Sequence, residues 1–140
     1  MNKIIKLILF IASIGFFSNV IWENAQAPLY LGYSDFWQHF PACFIATLGD
    51  VLVVLLIFGC FALIYRSVYW FSNMNVMKII LLMLSGAVIS VAIEVFALNT
   101  GRWAYSDMMP TIAGIGVLPI LQMMIILPLI FYITSKLFKK

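Results

Sequence analysis

Four long runs of apolar residues divide this chain, at about 4–22, 42–65, 76–98 and 111–134. Within each run the apolar positions are continuous rather than alternating, which predicts helices and disfavours a closed barrel. Each run approaches or exceeds the roughly 20 residues that a membrane-spanning helix requires. The pattern therefore predicts an all-α membrane protein, a four-transmembrane-helix bundle forming a single membrane domain over residues 1–140. The polar stretches between the runs are too short for a second domain.

The few polar positions inside the runs are spaced for helical faces. The first run is apolar until Asn19, after which Asn19, Glu23 and Gln26 share one face if the helix continues that far. Pro28 is expected to end it. The loop that follows, 29–41, carries Tyr30, Tyr33, Phe36 and Trp37, rings suited to the headgroup layer. The second helix is predicted to open after Pro41 and to align Cys43, Thr47 and Asp50. Tyr69, Trp70 and Phe71 in the next loop read as a second aromatic belt. In the third helix Gly86, Ser90 and Glu94 recur at four-residue steps, a small-residue stripe that lets another helix approach closely. That face is a candidate contact for a homo-oligomer or a membrane partner. The fourth helix is expected to kink at Pro119 and Pro128, with Gln122 near mid-membrane, placed to meet a carbonyl freed by the first kink.

Composition agrees, being 65% hydrophobic with 9% charged residues, and it excludes an ordinary soluble domain. A net charge of +3 would suit nucleic acid, but the cations sit at helix ends, so no nucleic acid partner is predicted. Lys3 and Lys6, Arg66 and Lys78, and Lys136, Lys139 and Lys140 all fall on one side, leaving Arg102 alone on the other. The positive-inside rule then gives an N-in, C-in topology. Short loops point to a bacterial cytoplasmic (inner) membrane, with the chain multi-pass among membrane lipids. All five acids (Glu23, Asp35, Asp50, Glu94 and Asp107) fall on the outer side. Asp35 and Asp107 read as solvated loop charges. Ala25-Gln26-Ala27 imitates a signal-peptidase site, but Pro28 directly after it argues against cleavage. Cys43 and Cys60 share one helix about 25 Å apart, too far for a disulfide.

An intramembrane carboxyl usually faces a bundle interior and has a partner. Glu23, Asp50 and Glu94 are therefore the leading candidates for chemistry. Like charges held close favour keeping a proton between them, which suits acid–base work or proton-coupled binding. His39, the one histidine, is the other candidate for proton handling. A lone histidine makes no typical zinc site, and neither a metal nor a cofactor is predicted. Arg102, Gln122, Asn19 and Tyr105 are the candidate ligand-binding residues. Arg102 breaks the charge sorting and calls for a partner: Glu94, Asp107, or an anionic group such as a lipid phosphate. The structural alternative is an interhelical polar network that only fixes helix register.

The strings Trp22-Glu23-Asn24-Ala25-Gln26-Ala27-Pro28-Leu29-Tyr30, Gly101-Arg102-Trp103-Ala104-Tyr105 and Leu118-Pro119-Ile120-Leu121-Gln122 resemble those of small four-helix bacterial integral membrane proteins without assigned function. That resemblance implies fold and location and no activity. Residues 101–132 also resemble part of the membrane lycopene cyclase domain, which shares a Gly-x-Trp-x-Tyr turn before a Gly/Pro-rich helix start. Those cyclases carry a pair of glutamates after the proline, where this chain has Ile120, Leu121 and Gln122, so cyclase activity does not carry over. What the likeness implies is a bundle able to hold a long apolar molecule. Three functions remain: an outer-half pocket for a lipid-like or isoprenoid-like molecule with an anionic head, a non-catalytic membrane scaffold or assembly subunit, and a small proton-coupled transporter.

Overall fold

The computed structural model describes residues 2–138, so Lys139 and Lys140, two of the cations used to orient the chain, lie outside the described residues. It contains four helices long and apolar enough to cross a membrane. The chain is a multi-pass helical membrane protein with the architecture of a four-helix bundle.

Side-chain caps set the start of three helices. Asn2 accepts the Ile4 N–H at 3.1 Å ahead of α1 (Lys3–Gln26). Asp35 accepts the Gln38 N–H at 3.0 Å ahead of α2 (Phe36–Ile64), and Asn75 accepts the Lys78 N–H at 3.0 Å ahead of α3 (Val76–Asn99). Each cap satisfies a donor that has no partner within the helix. Asp35 is thus a helix cap rather than a free loop charge. It also starts α2 six residues before the expected boundary, leaving Pro41 inside the helix. The N–H that Pro41 lacks would have met the carbonyl of Trp37, a residue 79% exposed, where water and headgroups can satisfy it. At 29 residues α2 spans about 43 Å, longer than the roughly 30 Å hydrocarbon core.

The fourth helix starts later than its apolar run. Residues 111–116 form a hairpin of β1 (Thr111–Ile112) and β2 (Ile115–Gly116), with Ile112 opposite Ile115. Ala113 and Gly114 make its turn, both left-handed at φ 51° and 79°, as a type I′ turn requires. α4 (Val117–Leu137) follows. Pro119 is its third residue, where no intrahelical donor is needed, so it begins the helix instead of kinking it. Pro128 does lie within α4.

Two helices end in the same hydrogen-bonded turn. After α3, Gly101 takes φ 66° and donates to the Leu98 carbonyl at 3.2 Å, while Arg102 N–H reaches Ala97 at 2.9 Å. After α2, Arg66 takes φ 50° and donates to Leu63 at 3.2 Å, while Ser67 N–H reaches Ala62 at 2.9 Å. Glycine suits that position; an arginine there costs roughly 1–2 kcal/mol.

α1 packs against α2 and α4, and α4 against α3, whereas α2 and α3 barely touch. The α3–α4 contact is the tightest. A Cβ on Gly86 would lie 2.7 Å from the Met123 carbonyl oxygen, and Ser90 Oγ donates to the Pro119 carbonyl at 2.8 Å. The Gly86–Ser90 stripe is therefore occupied by α4 of the same chain, which corrects its reading as a face for a partner. Trp70 and Phe71 also depart from expectation. A short 3-10 turn (Trp70–Ser72) tucks both rings inside the bundle, where Trp70 sits 4.8 Å from both Phe61 and Phe131 and its indole N–H donates to the Phe58 carbonyl. They plug one end of the core rather than forming a belt. Phe10 meets Phe138 at 5.1 Å, so the first half of α1 lies beside the end of α4. Lys3, Lys6, Arg66, Lys78 and Lys136 mark that basic end of the bundle. The other end carries the acids and Arg102.

Candidate functional site

α1 runs one turn past its apolar stretch, and this carries Asn19, Glu23 and Gln26 along one face into the acidic end. α2 brings Asp50 and α4 brings Gln122 to the same place. Gln122 is the hub. Its Nε2 donates to Asn19 Oδ1 and to Asp50 Oδ2, both at 2.9 Å, and its Oε1 accepts from Gln26 Nε2 at 3.1 Å. Gln26 also donates to Glu23 Oε1 at 3.0 Å and accepts from the Trp22 indole at 3.2 Å. Asn19 Nδ2 is anchored on the Gly15 carbonyl at 2.8 Å. Gln122 therefore meets side chains, and not the freed backbone carbonyl expected for it.

Glu23 and Asp50 are thus tied into one network through the Gln26 and Gln122 amides, which brings two acidic side chains to the same place between α1 and α2. Every buried polar side-chain atom among the described residues has a partner, as a network held in lipid demands.

Glu94 forms a second cluster on α3. It is 4% exposed, and its Oε2 accepts from the Trp103 indole at 3.2 Å and from the Tyr105 hydroxyl. Both donors converge on Oε2, which leaves Oε1 open to a further donor. The Tyr105 oxygen in turn accepts the Gly116 N–H at 3.0 Å, tying Glu94 to the start of α4. A Cβ on Gly116 would lie 3.0 Å from the Tyr105 ring, so this approach depends on glycine. Burial and the hydrogen bond to Glu94 push the Tyr105 phenol above its ordinary range.

Tyr30 joins the two clusters. Its backbone bridges Tyr105, flanked by Leu31 N–H to Ala104 and Ser106 N–H to Leu29, each 2.9 Å. The Tyr30 ring lies 5.7 Å from Tyr105 and 6.3 Å, edge-on, from Trp103. Burial first, then the nearby Glu94 and Glu23 carboxyls, push its phenol upward as well. Segments 29–31 and 104–106 thus lie across the acidic end above the carboxyls.

Two expected members stand elsewhere. Arg102 is exposed and its guanidinium rests 5.5 Å from the Phe96 ring centroid. Phe96 follows Glu94 by two residues, about 200° around the helix, so Arg102 lies against the opposite face of α3 from Glu94. The left-handed Gly101 makes this split, sending Arg102 outward and Trp103 and Tyr105 inward. His39 packs edge-on against Tyr33 at 5.3 Å, roughly 16 Å along α2 from Asp50. The structure thus brings Asn19, Glu23, Asp50 and Gln122 into one network and Glu94 with Tyr105 into another, and brings in neither Arg102 nor His39.

Gln26, Tyr30, Trp22 and Trp103 belong to the site without having been singled out for it. Gln26 had a signal, its place on the Asn19–Glu23 face. Trp22, Tyr30 and Trp103 stand in the strings that resemble other membrane proteins, but a membrane-belt ring and a ring over a buried acid look alike in sequence.

Beside the network, an apolar groove of about 520 Å³ runs between α1 and α4, lined by Ser18, Ile21, Ala25, Leu118 and Ile125, with Trp22 and Gln26 also on its wall. Gln26 and Trp22 belong to both groove and network. Comparison with family models, curated proteins and solved structures finds no match to this chain.

Proposed function

We propose that this is a multi-pass protein of a bacterial cytoplasmic membrane that binds a lipid-like or isoprenoid-like molecule at its acidic end, on the outer side. The observation that carries the reading is the Gln122-centred network that gathers Asn19, Glu23, Gln26 and Asp50 beside a groove that opens towards lipid. The groove suits an apolar chain, and Gln26 and Trp22 on its wall connect that chain to the polar network. An anionic head was expected on the strength of Arg102. With Arg102 on the far face of α3, the groups that remain favour a neutral hydrogen-bonding head or a basic one, which the carboxyl groups can pair with. Occupation of the Gly86–Ser90 stripe by α4 weighs against the scaffold reading.

Mass spectrometry of molecules extracted from the purified protein tests this. The wild type should release a lipid-like species beyond the surrounding bulk lipid. Ala25→Phe, which narrows the groove, and the double variant Glu23→Gln, Asp50→Asn should each lose it. Identical lipid content in all three folded proteins would refute the proposal.

A further inference from the structure

A second groove, of about 630 Å³, lies at the opposite, basic end between α1 and α2. Ile4 and Ile8 form one wall; Phe58, Gly59, Ala62 and Leu63 form the other, and Arg66 stands at the mouth with Ser67. The floor offers nothing to a polar ligand, and the rim offers one cation. The two basic groups at this end of α2 and α3 are used differently. Lys78 Nζ is taken up by the carbonyls of Trp70 and Asn73, at 2.6 and 2.8 Å, and lies over the Tyr65 ring. Arg66 is exposed. It also occupies a left-handed position, φ 50°, that glycine fills without strain. The turn itself needs no arginine, so the residue's contribution lies in its guanidinium.

We infer that this groove holds one acyl chain of an anionic phospholipid whose phosphate is bound by Arg66. The last turn of α2 places Arg66 where a spanning helix leaves the hydrocarbon, the depth of lipid phosphates. A guanidinium matches a phosphate in forked geometry, and the apolar walls below it match a chain. This site is independent of the one at the acidic end.

The test uses the purified full chain, equilibrated with equal amounts of phosphatidylglycerol and phosphatidylcholine in mild detergent, with retained lipids counted by native mass spectrometry. Both lipids carry a phosphate but only phosphatidylglycerol has a net negative head. Wild type should therefore retain it about fivefold over phosphatidylcholine, the factor expected for one cation at an anionic lipid. Arg66→Lys, which keeps the charge without the fork, should show a smaller preference. Arg66→Gly and Arg66→Gln should retain the two nearly equally. Gly59→Leu, which fills the groove, should lower retention of both. Arg66→Gly carries the decision. It relieves the strained turn, so in detergent without anionic lipid it should unfold later than wild type while losing the lipid preference. An unchanged preference in Arg66→Gly would overturn the inference.

Discussion

Gly86→Ala tests how closely α3 and α4 are fitted. The added methyl would lie 2.7 Å from the Met123 carbonyl oxygen and 2.8 Å from its carbon. Both are backbone atoms of α4 and cannot turn aside as a side chain would. Reaching an ordinary contact of 3.4 Å requires the two helices to part by about 0.7 Å. Parting on that scale stretches the Ser90–Pro119 hydrogen bond, now 2.8 Å, towards the limit of a useful bond. Overpacking of this kind costs typically 1–3 kcal/mol, set against roughly 1 kcal/mol gained by replacing a helical glycine with alanine. The net expectation is a loss of about 0–2 kcal/mol against wild type, and of about 1–3 kcal/mol against an alanine that replaces a helical glycine without a clash. Gly59→Ala is the matched control, since a Cβ at Gly59 meets nothing within 4 Å, and it should be neutral or stabilising. Reversible unfolding of both variants in a detergent and dodecyl sulfate mixture gives the comparison. If Gly86→Ala proved as stable as Gly59→Ala, the close α3–α4 approach would be wrong.

Three further outcomes follow from the site and the hairpin. Gln122→Leu removes the donor to Asp50 and Asn19 and the acceptor of Gln26, so the same unfolding assay should show a loss of about 1–3 kcal/mol; a change within error would mean the hub is not formed. Tyr30 and Tyr105 are both pushed above the ordinary value of 10.0. A phenol that ionises more readily unfolded than folded makes the unfolded chain bind fewer protons in alkali, so stability should be full below about pH 10 and fall as pH rises beyond it. Tyrosinate absorbance should show a late-titrating fraction that disappears in the Tyr30→Phe, Tyr105→Phe double variant. Ala113→Asn places a residue favoured in type I′ turns at a left-handed position and should stabilise the hairpin by a few tenths to about 1 kcal/mol, read as an upward shift in melting temperature.

The existence of four helices was legible because lipid imposes a long apolar run on each, a signal that needs no knowledge of neighbours. The helix ends were less so. Pro41 reads as the start of α2 and Asp35 as a loop charge, and the capping hydrogen bond of Asp35 moves the start ahead of the proline. Pro119 reads as a kink or as a first turn depending on whether residues 111–116 are helix, and the Ala113–Gly114 turn makes them a hairpin. In the site, Asn19 and Glu23 were visible by their spacing on α1, and Asp50, Glu94 and Gln122 by their cost in lipid. That Gln122 joins α1 to α2, while Glu94 turns to Trp103 and Tyr105, depends on which helices are neighbours. Periodicity within one helix carries no information about that. Arg102 was misleading for a related reason. An unmatched charge suggests an ionic partner, yet the left-handed Gly101 turns it onto an aromatic ring on the far side of its helix.

The scarcity of contact between α2 and α3 bears on how the chain is assembled. Divided at the 65–75 connection, it consists of two helical hairpins joined along the α1–α4 seam. The first hairpin already contains Glu23 and Asp50, so the two acids can be brought together while the second half is still being synthesised. Gln122 arrives with the last helix to emerge, and its amide then ties them into the network. Coexpressed halves, 1–70 and 71–140, should accordingly reassociate in a membrane, the polar hub serving as the seal between two separately inserted pieces.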